Sequence, residues 1–155
     1  EILWKTLPTV SNKVVEGNLS DLGKLQGIAV TRRGEGGIAM ELALTFEKGK
    51  VTVKTENAIR KVLSPTKLTI GEPIYLQRKG GDSLTGNTIL PSGFFAVKEM
   101  KNEKGELTGI ALYGGGNGHG VGMSQYGAKG LAEEGKTAKE IIQYYFPGTT
   151  VERVL

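Results

Sequence analysis

The sequence predicts an α+β fold: an antiparallel β-rich body, then a Gly-rich loop, then a C-terminal helical hairpin. Three observations predict it. Short apolar runs separated by glycine-bearing polar turns fill residues 25–63 and 94–113, as hairpins require. Ile38, Met40, Leu42, Leu44 and Phe46 alternate with other residues at period 2, which marks a strand with one buried face. From Ser124 onward the pattern turns helical, with a capping residue ahead of each helix.

In chain order, residues 1–24 read as irregular, with Leu3 and Trp4 able to plug a core and Ser20-Asp21-Leu22-Gly23 as a turn. The first predicted strand covers 26–31. Arg33-Gly34-Glu35-Gly36-Gly37 turns it into a strand over 38–46, and Glu47-Lys48-Gly49-Lys50 leads on to a strand over 51–53. Thr55 caps a short helix over 56–63. That helix stops ahead of Ser64-Pro65, because the residue before a proline is pushed out of the helical region. A second hairpin joins 94–100 to 106–113 through Asn102-Glu103-Lys104-Gly105. Between the hairpins a strand is expected around 68–76, with a polar loop over 79–87. Ser124 precedes a helix over 125–134 that Gly135 ends. Thr137 and Glu140 make a capping box for a helix over 138–146, which Pro147-Gly148 stops. A strand over 149–154 closes the prediction.

A chain of 155 residues suits one domain with a real core. The expectation is a single domain over 1–155, or the C-terminal portion of a larger one. Hydrophobic residues at 38% and charged residues at 23% are ordinary for a globular protein, whereas 24 glycines imply turns or close backbone approaches. The net charge of +4 is a mild bias toward anionic partners, and nucleic acid, anionic membrane and anionic cell-wall polymer fit it equally. Absence of cysteine excludes disulfides and thiolate metal sites, and one histidine makes a protein-only zinc site a poor expectation. No metal and no cofactor is assigned. No apolar run approaches the ~20 residues of a membrane span and no signal peptide is visible, so any membrane anchor is expected outside this chain.

Three motif-like strings fail on context. Gly130-Leu131-Ala132-Glu133-Glu134-Gly135-Lys136-Thr137 has the letters of a phosphate loop, but its interior is a strong helix former whose two carboxylates would repel a nucleotide. The glycine cluster does not fit the dinucleotide fingerprint and has no βαβ unit after it. Gly122-Met123-Ser124-Gln125-Tyr126 lacks the closing glycine of a nucleophile elbow. No basic stripe with interleaved aromatics points to nucleic acid.

The stretch from Gly114 to Gly122 holds six glycines and His119, the only histidine of the chain. A lone histidine is ordinarily a hydrogen-bonded structural group. Here Gly118, Gly120 and Gly122 leave the main chain bare for a ligand, and the loop feeds a helix N-terminus whose free N–H groups favour an oxygen ligand. Ser124 is the expected N-cap, Gln125 offers an amide, and Tyr126 offers a ring on which a sugar can stack. These residues suit a neutral ligand rich in hydroxyl and acetamide groups, with His119, Gly120, Gly122, Ser124, Gln125 and Tyr126 as the candidate contacts.

Residues 116–128, read with Ile141-Ile142-Gln143-Tyr144-Tyr145-Phe146-Pro147-Gly148-Thr149, closely resemble the closing signature of the stage II sporulation protein D family, whose relatives include amidase enhancers. Asn117 stands where an aromatic is commoner, and Tyr126 where tryptophan is. Upstream, residues 27–63 resemble the family's paired strands and arginine-bearing helix, which adds Arg60 to the candidate contacts; 66–113 match loosely. The resemblance implies a bacterial, extracytoplasmic protein that binds peptidoglycan glycan strands as part of a lytic transglycosylase acting on denuded strands. The alternative is a non-catalytic cell-wall module that stimulates a separate N-acetylmuramoyl-L-alanine amidase, which would be its partner. The family's general-acid glutamate and its occasional zinc ligands lie upstream of everything matched, so no catalytic residue and no metal ligand is carried over. Glu16, Glu35 and Glu41 read as surface or turn positions.

Overall fold

Leu42, Leu44 and Phe46 point one way along their strand, and each meets an apolar partner or a turn glycine on the strand beside it. Leu42 lies opposite Val53, Leu44 opposite Val51, and Phe46 opposite Gly49. On the other side Leu42 faces Val30 and Leu44 faces Ile28. This register makes one apolar face from several strands. The computed structural model that shows it describes residues 7–66 and 73–152. The chain forms two compact units, one ending at His119 and the other starting at Gly120.

In the first unit, β1 (Lys13–Glu16), β2 (Leu25–Arg33), β3 (Ala39–Phe46) and β4 (Gly49–Lys54) form an antiparallel sheet in the order β1-β4-β3-β2. The β2–β3 turn closes with the Gly37 N–H donating to the Gly34 carbonyl at 2.8 Å. Helix α1 (Glu56–Val62) follows β4 directly, and the Thr55 side chain accepts from the Ala58 N–H as its N-cap. Ile59 and Val62 of α1 are fully buried together with Leu42, Leu44, Val51 and Val53. Each such side chain withdrawn from water contributes about 1.5–3 kcal/mol.

A second antiparallel pair, β7 (Phe94–Lys101) and β8 (Leu107–Gly115), adds Phe95 to that core, with Val97, Ile110 and Leu112 packed against it. Its turn is tied by Asn102, whose side-chain oxygen accepts the N–H groups of Lys104 and Glu106 at 3.0 and 2.9 Å. Two side chains clasp the ribbon to the sheet. The Glu99 carboxylate accepts the Ile28 N–H at 2.7 Å, and Arg33 donates to the Phe95 carbonyl at 2.7 Å. A two-residue pair, β5 (Leu76–Gln77) with β6 (Ser83–Leu84), sits between β4 and β7 in the chain.

The second unit is a helical hairpin of α2 (Gln125–Glu133) and α3 (Ala138–Tyr145). Gly135, at φ +88°, leaves α2 left-handed; its N–H donates to the Ala132 carbonyl and the Lys136 N–H to the Leu131 carbonyl. That pair of bonds is a Schellman motif. The predicted capping box is present at α3: the Thr137 hydroxyl accepts the Glu140 N–H, and the Glu140 carboxylate accepts the Thr137 N–H at 2.8 Å.

The α+β class and its order of elements follow the prediction. Three details differ. β1 lies in the stretch read as irregular, because a four-residue edge strand with only half its side chains turned inward shows too little period to detect. The strand expected around 68–76 falls largely outside the described residues; its last residue, Leu76, opens β5, and the loop over 79–87 contains β6. Residues 149–152 carry no strand. There the Thr149 hydroxyl donates to the Phe146 carbonyl at 2.8 Å and Gln143 donates to the Thr149 carbonyl, which holds the segment folded against the end of α3.

Candidate functional site

The glycine loop begins where β8 runs out. Gly114 lies opposite Phe95 and Gly115 opposite Phe94. A side chain at Gly114 would collide with the Phe94 carbonyl, so glycine permits the close approach. The chain then turns at Gly116, φ +86°, and runs beside Ser92, which pairs with Gly118 in an isolated parallel bridge. The Gly118 N–H donates to the Pro91 carbonyl at 2.9 Å. His119 is exposed and is the last residue of the first unit.

Arg60 reaches the same strip from α1. Its Nε donates to the Leu90 carbonyl at 2.6 Å and its Nη2 to the Pro91 carbonyl at 3.1 Å. Its Nη1 is paired with the Glu56 carboxylate one helical turn earlier. The Arg60 carbonyl accepts the Leu90 N–H at 3.1 Å. The side chain is only 12% exposed and that of Glu56 10%, so the ion pair is withdrawn from water and satisfied by main-chain carbonyls. An open groove of about 1980 Å³ among the described residues runs from β5 past β8 to Gly116 and Asn117.

In the second unit Gly120 has a positive φ, at +67°, and Gly122 follows at +109°. Ser124 is the N-cap of α2; its hydroxyl accepts the Gly127 N–H at 3.1 Å and keeps a proton to donate. Gln125 and Tyr126 occupy the first turn, where the helix leaves backbone N–H groups unused. Tyr126 is 87% exposed. The first turn of α2 and the end of α3 are built against each other. The Phe146 ring stands beside Gly122, and Tyr145 approaches Gly127 so closely that a side chain there would strike its hydroxyl. Tyr144 meets Tyr145 edge to face, with centroids 5.1 Å apart.

Within the first unit the structure therefore links Arg60 to the strand of chain that precedes His119. Within the second, Gly122, Ser124, Gln125 and Tyr126 lie at the start of α2, against the end of α3, which carries Tyr144 and Phe146. Those last two aromatics, both exposed, are additional candidates; the Tyr144-Tyr145-Phe146 run following a helical pattern was the signal for them. Glu16 and Glu35 are exposed, and Glu41 is paired with Arg32 at 3.2 Å on the sheet surface. The Gly130–Thr137 string with the letters of a phosphate loop lies in α2, its Schellman turn and the N-cap of α3. Among the described residues no three His, Cys, Asp or Glu side chains converge to hold a metal, and no helix is long and apolar enough to cross a membrane.

Three bacterial proteins resemble parts of this chain. The amidase enhancer of Bacillus subtilis is 39% identical over 69 residues, which is 44% of this chain and 9% of that protein. Stage II sporulation protein D of the same organism is 61% identical over 36 residues, 23% of this chain and 10% of that protein. An uncharacterized protein of Brachyspira hyodysenteriae is 41% identical over 63 residues, 41% of this chain and 16% of that protein. The chain thus has partial homologues named amidase enhancer and stage II sporulation protein D, and the matches span 9 to 16% of these relatives' lengths. No protein-family model matches the chain, and no solved structure matches it.

Proposed function

We propose that this chain acts at the bacterial cell wall, outside the cytoplasm, and binds the glycan strands of peptidoglycan as part of a lytic transglycosylase. The observation that carries the reading is the surface beside the start of α2. Tyr126 exposes ring area there, next to the Ser124 hydroxyl, the Gln125 amide and unused helix N–H groups, and the exposed Phe146 ring stands beside Gly122. Residues 114–128 contain no Asp, Glu, Lys or Arg. An aromatic, uncharged surface with convergent donors fits N-acetylated sugars: their axial C–H faces pack on rings, and their acetamide oxygens accept N–H bonds. His119, in the first unit, is an exposed side chain proposed as a ligand contact in its own right, able to donate or accept a hydrogen bond. The names of the relatives support a cell-wall role, and no residue of this chain is assigned to bond cleavage.

Titration with a soluble GlcNAc–MurNAc oligomer tests this. His119→Ala and Tyr126→Ala are surface changes expected to alter stability by less than about 0.5 kcal/mol. Each is expected to weaken binding by roughly two- to twelve-fold, the worth of one hydrogen bond or ring contact. Unaltered titration curves for both variants would overturn the reading. The name of the 39%-identical relative favours a second reading, in which the chain stimulates a separate N-acetylmuramoyl-L-alanine amidase. Adding the chain to such an amidase on intact peptidoglycan separates the two: stimulation without oligomer binding selects the second.

A further inference from the structure

Arg60 has the charge and the planar fork of a sugar- or anion-binding residue, yet its surroundings direct it elsewhere. Nε, Nη1 and Nη2 each already hold a partner, and the side chain is 12% exposed. We propose that Arg60 is a positioning residue for His119, acting through the Pro91 carbonyl, and does not itself touch the ligand. That carbonyl accepts two donors at once, Arg60 Nη2 at 3.1 Å and the Gly118 N–H at 2.9 Å. One oxygen therefore joins the guanidinium to the residue immediately before His119.

The rest of the assembly stiffens this joint. Glu56, buried beside Arg60, holds Nη1 of the guanidinium. The Arg60 carbonyl takes the Leu90 N–H, so the 90–91 segment is gripped by both main chain and side chain of one residue. Ser92, buried next in sequence, accepts the Phe94 N–H at 3.1 Å and bridges Gly118. A fork is needed here because two successive carbonyls are grasped from one side; a lysine ammonium offers no such fixed pair of donors. Gly118 has no side chain to anchor it, so its N–H bond and the Ser92 bridge are what hold it to the body.

The inference rests on the glycan reading of His119, and its test separates the two. In 15N-labelled protein without ligand, Arg60→Lys is expected to raise the hydrogen-exchange rate of the Gly118 amide by roughly two- to twelve-fold. Amides of β3 and β4 should keep their wild-type rates. In titration with the GlcNAc–MurNAc oligomer, Arg60→Lys should weaken binding in the wild-type background and add nothing in a His119→Ala background. An unchanged Gly118 rate overturns the proposal, and so do losses that multiply in the double variant, which would place Arg60 on the sugar. If Arg60→Lys does not fold, Glu56→Gln, which keeps the shape and removes the ion pair, is measured the same way. A wild-type protein that ignores the oligomer defeats the glycan reading alone, since the amide-exchange arm still decides whether Arg60 holds the loop.

Discussion

At Gly118 the backbone adopts φ +129°, a value that L-residues rarely take, and a side chain there would meet nothing within 4 Å. Gly115, three residues earlier, also faces open space but has no positive φ. The pair isolates backbone conformation from collision. Gly118→Ala is expected to destabilise the protein by about 1–3 kcal/mol, and Gly115→Ala to lie within about 0.5 kcal/mol of wild type, as read from urea unfolding. Equal effects would mean that the loop is held by something other than dihedral angle. Of the two uses a glycine between His119 and Val121 suggests, positive φ or a close approach, Gly120 shows the first, at +67°. The environment of Arg60 could not be anticipated. Apart from Glu56 one helical turn earlier, its partners are main-chain carbonyls about thirty residues on, at Leu90 and Pro91, and a carbonyl leaves no letter in the sequence.

Among the elements, the joint between β2 and β7 carries a pH signature. Glu99 is held below its ordinary value of 4.5, first by the hydrogen bond from Lys101 and then by the Ile28 N–H, with burial opposing both. A carboxylate whose folded value is depressed contributes stability that is complete above the ordinary value and is lost as pH falls through the folded one. Wild-type protein should therefore lose more stability between pH 7 and pH ~3.5 than Glu99→Gln, whose amide oxygen can still accept the Ile28 N–H but does not titrate. Parallel acid profiles of urea midpoints for the two would refute this. No such joint is visible in the sequence, since Glu99 and Ile28 are 71 residues apart. What was legible at this scale was local: the alternation ending at Phe46, the Thr55 and Ser124 caps, and the Thr137–Glu140 box all act within four residues or within one strand. β1 escaped because its pairing with β4, not its own pattern, makes it a strand.

For the whole molecule, the division at His119 is unequal. Ile141 is the one hydrophobic residue of the second unit that is buried among the described residues; the remaining buried hydrophobics belong to the first. Chains shorter than about 40 residues rarely fold without disulfides, metals or partners, and this sequence has no cysteine. Residues 120–155 expressed alone should show no cooperative thermal transition by circular dichroism, whereas residues 1–119 should keep one. A cooperative melt of the short fragment would show that its caps and aromatic contacts suffice.

The glycine loop can also be regarded as a question of handedness. Gly116, Gly118, Gly120 and Gly122 all take positive φ, while the residues between them do not. The segment is a heterochiral ribbon, with alternate positions shaped as D-residues would be, and a genetically encoded chain can place that geometry only with an achiral residue. Every single-base change of those four codons that alters the amino acid introduces an L-residue or a stop, so mutation can only erode the shape. The interleaved positions are under no such restriction. Asn117, His119 and Val121 can take other L-residues without dihedral strain, and it is there, between the glycines, that side-chain chemistry can vary.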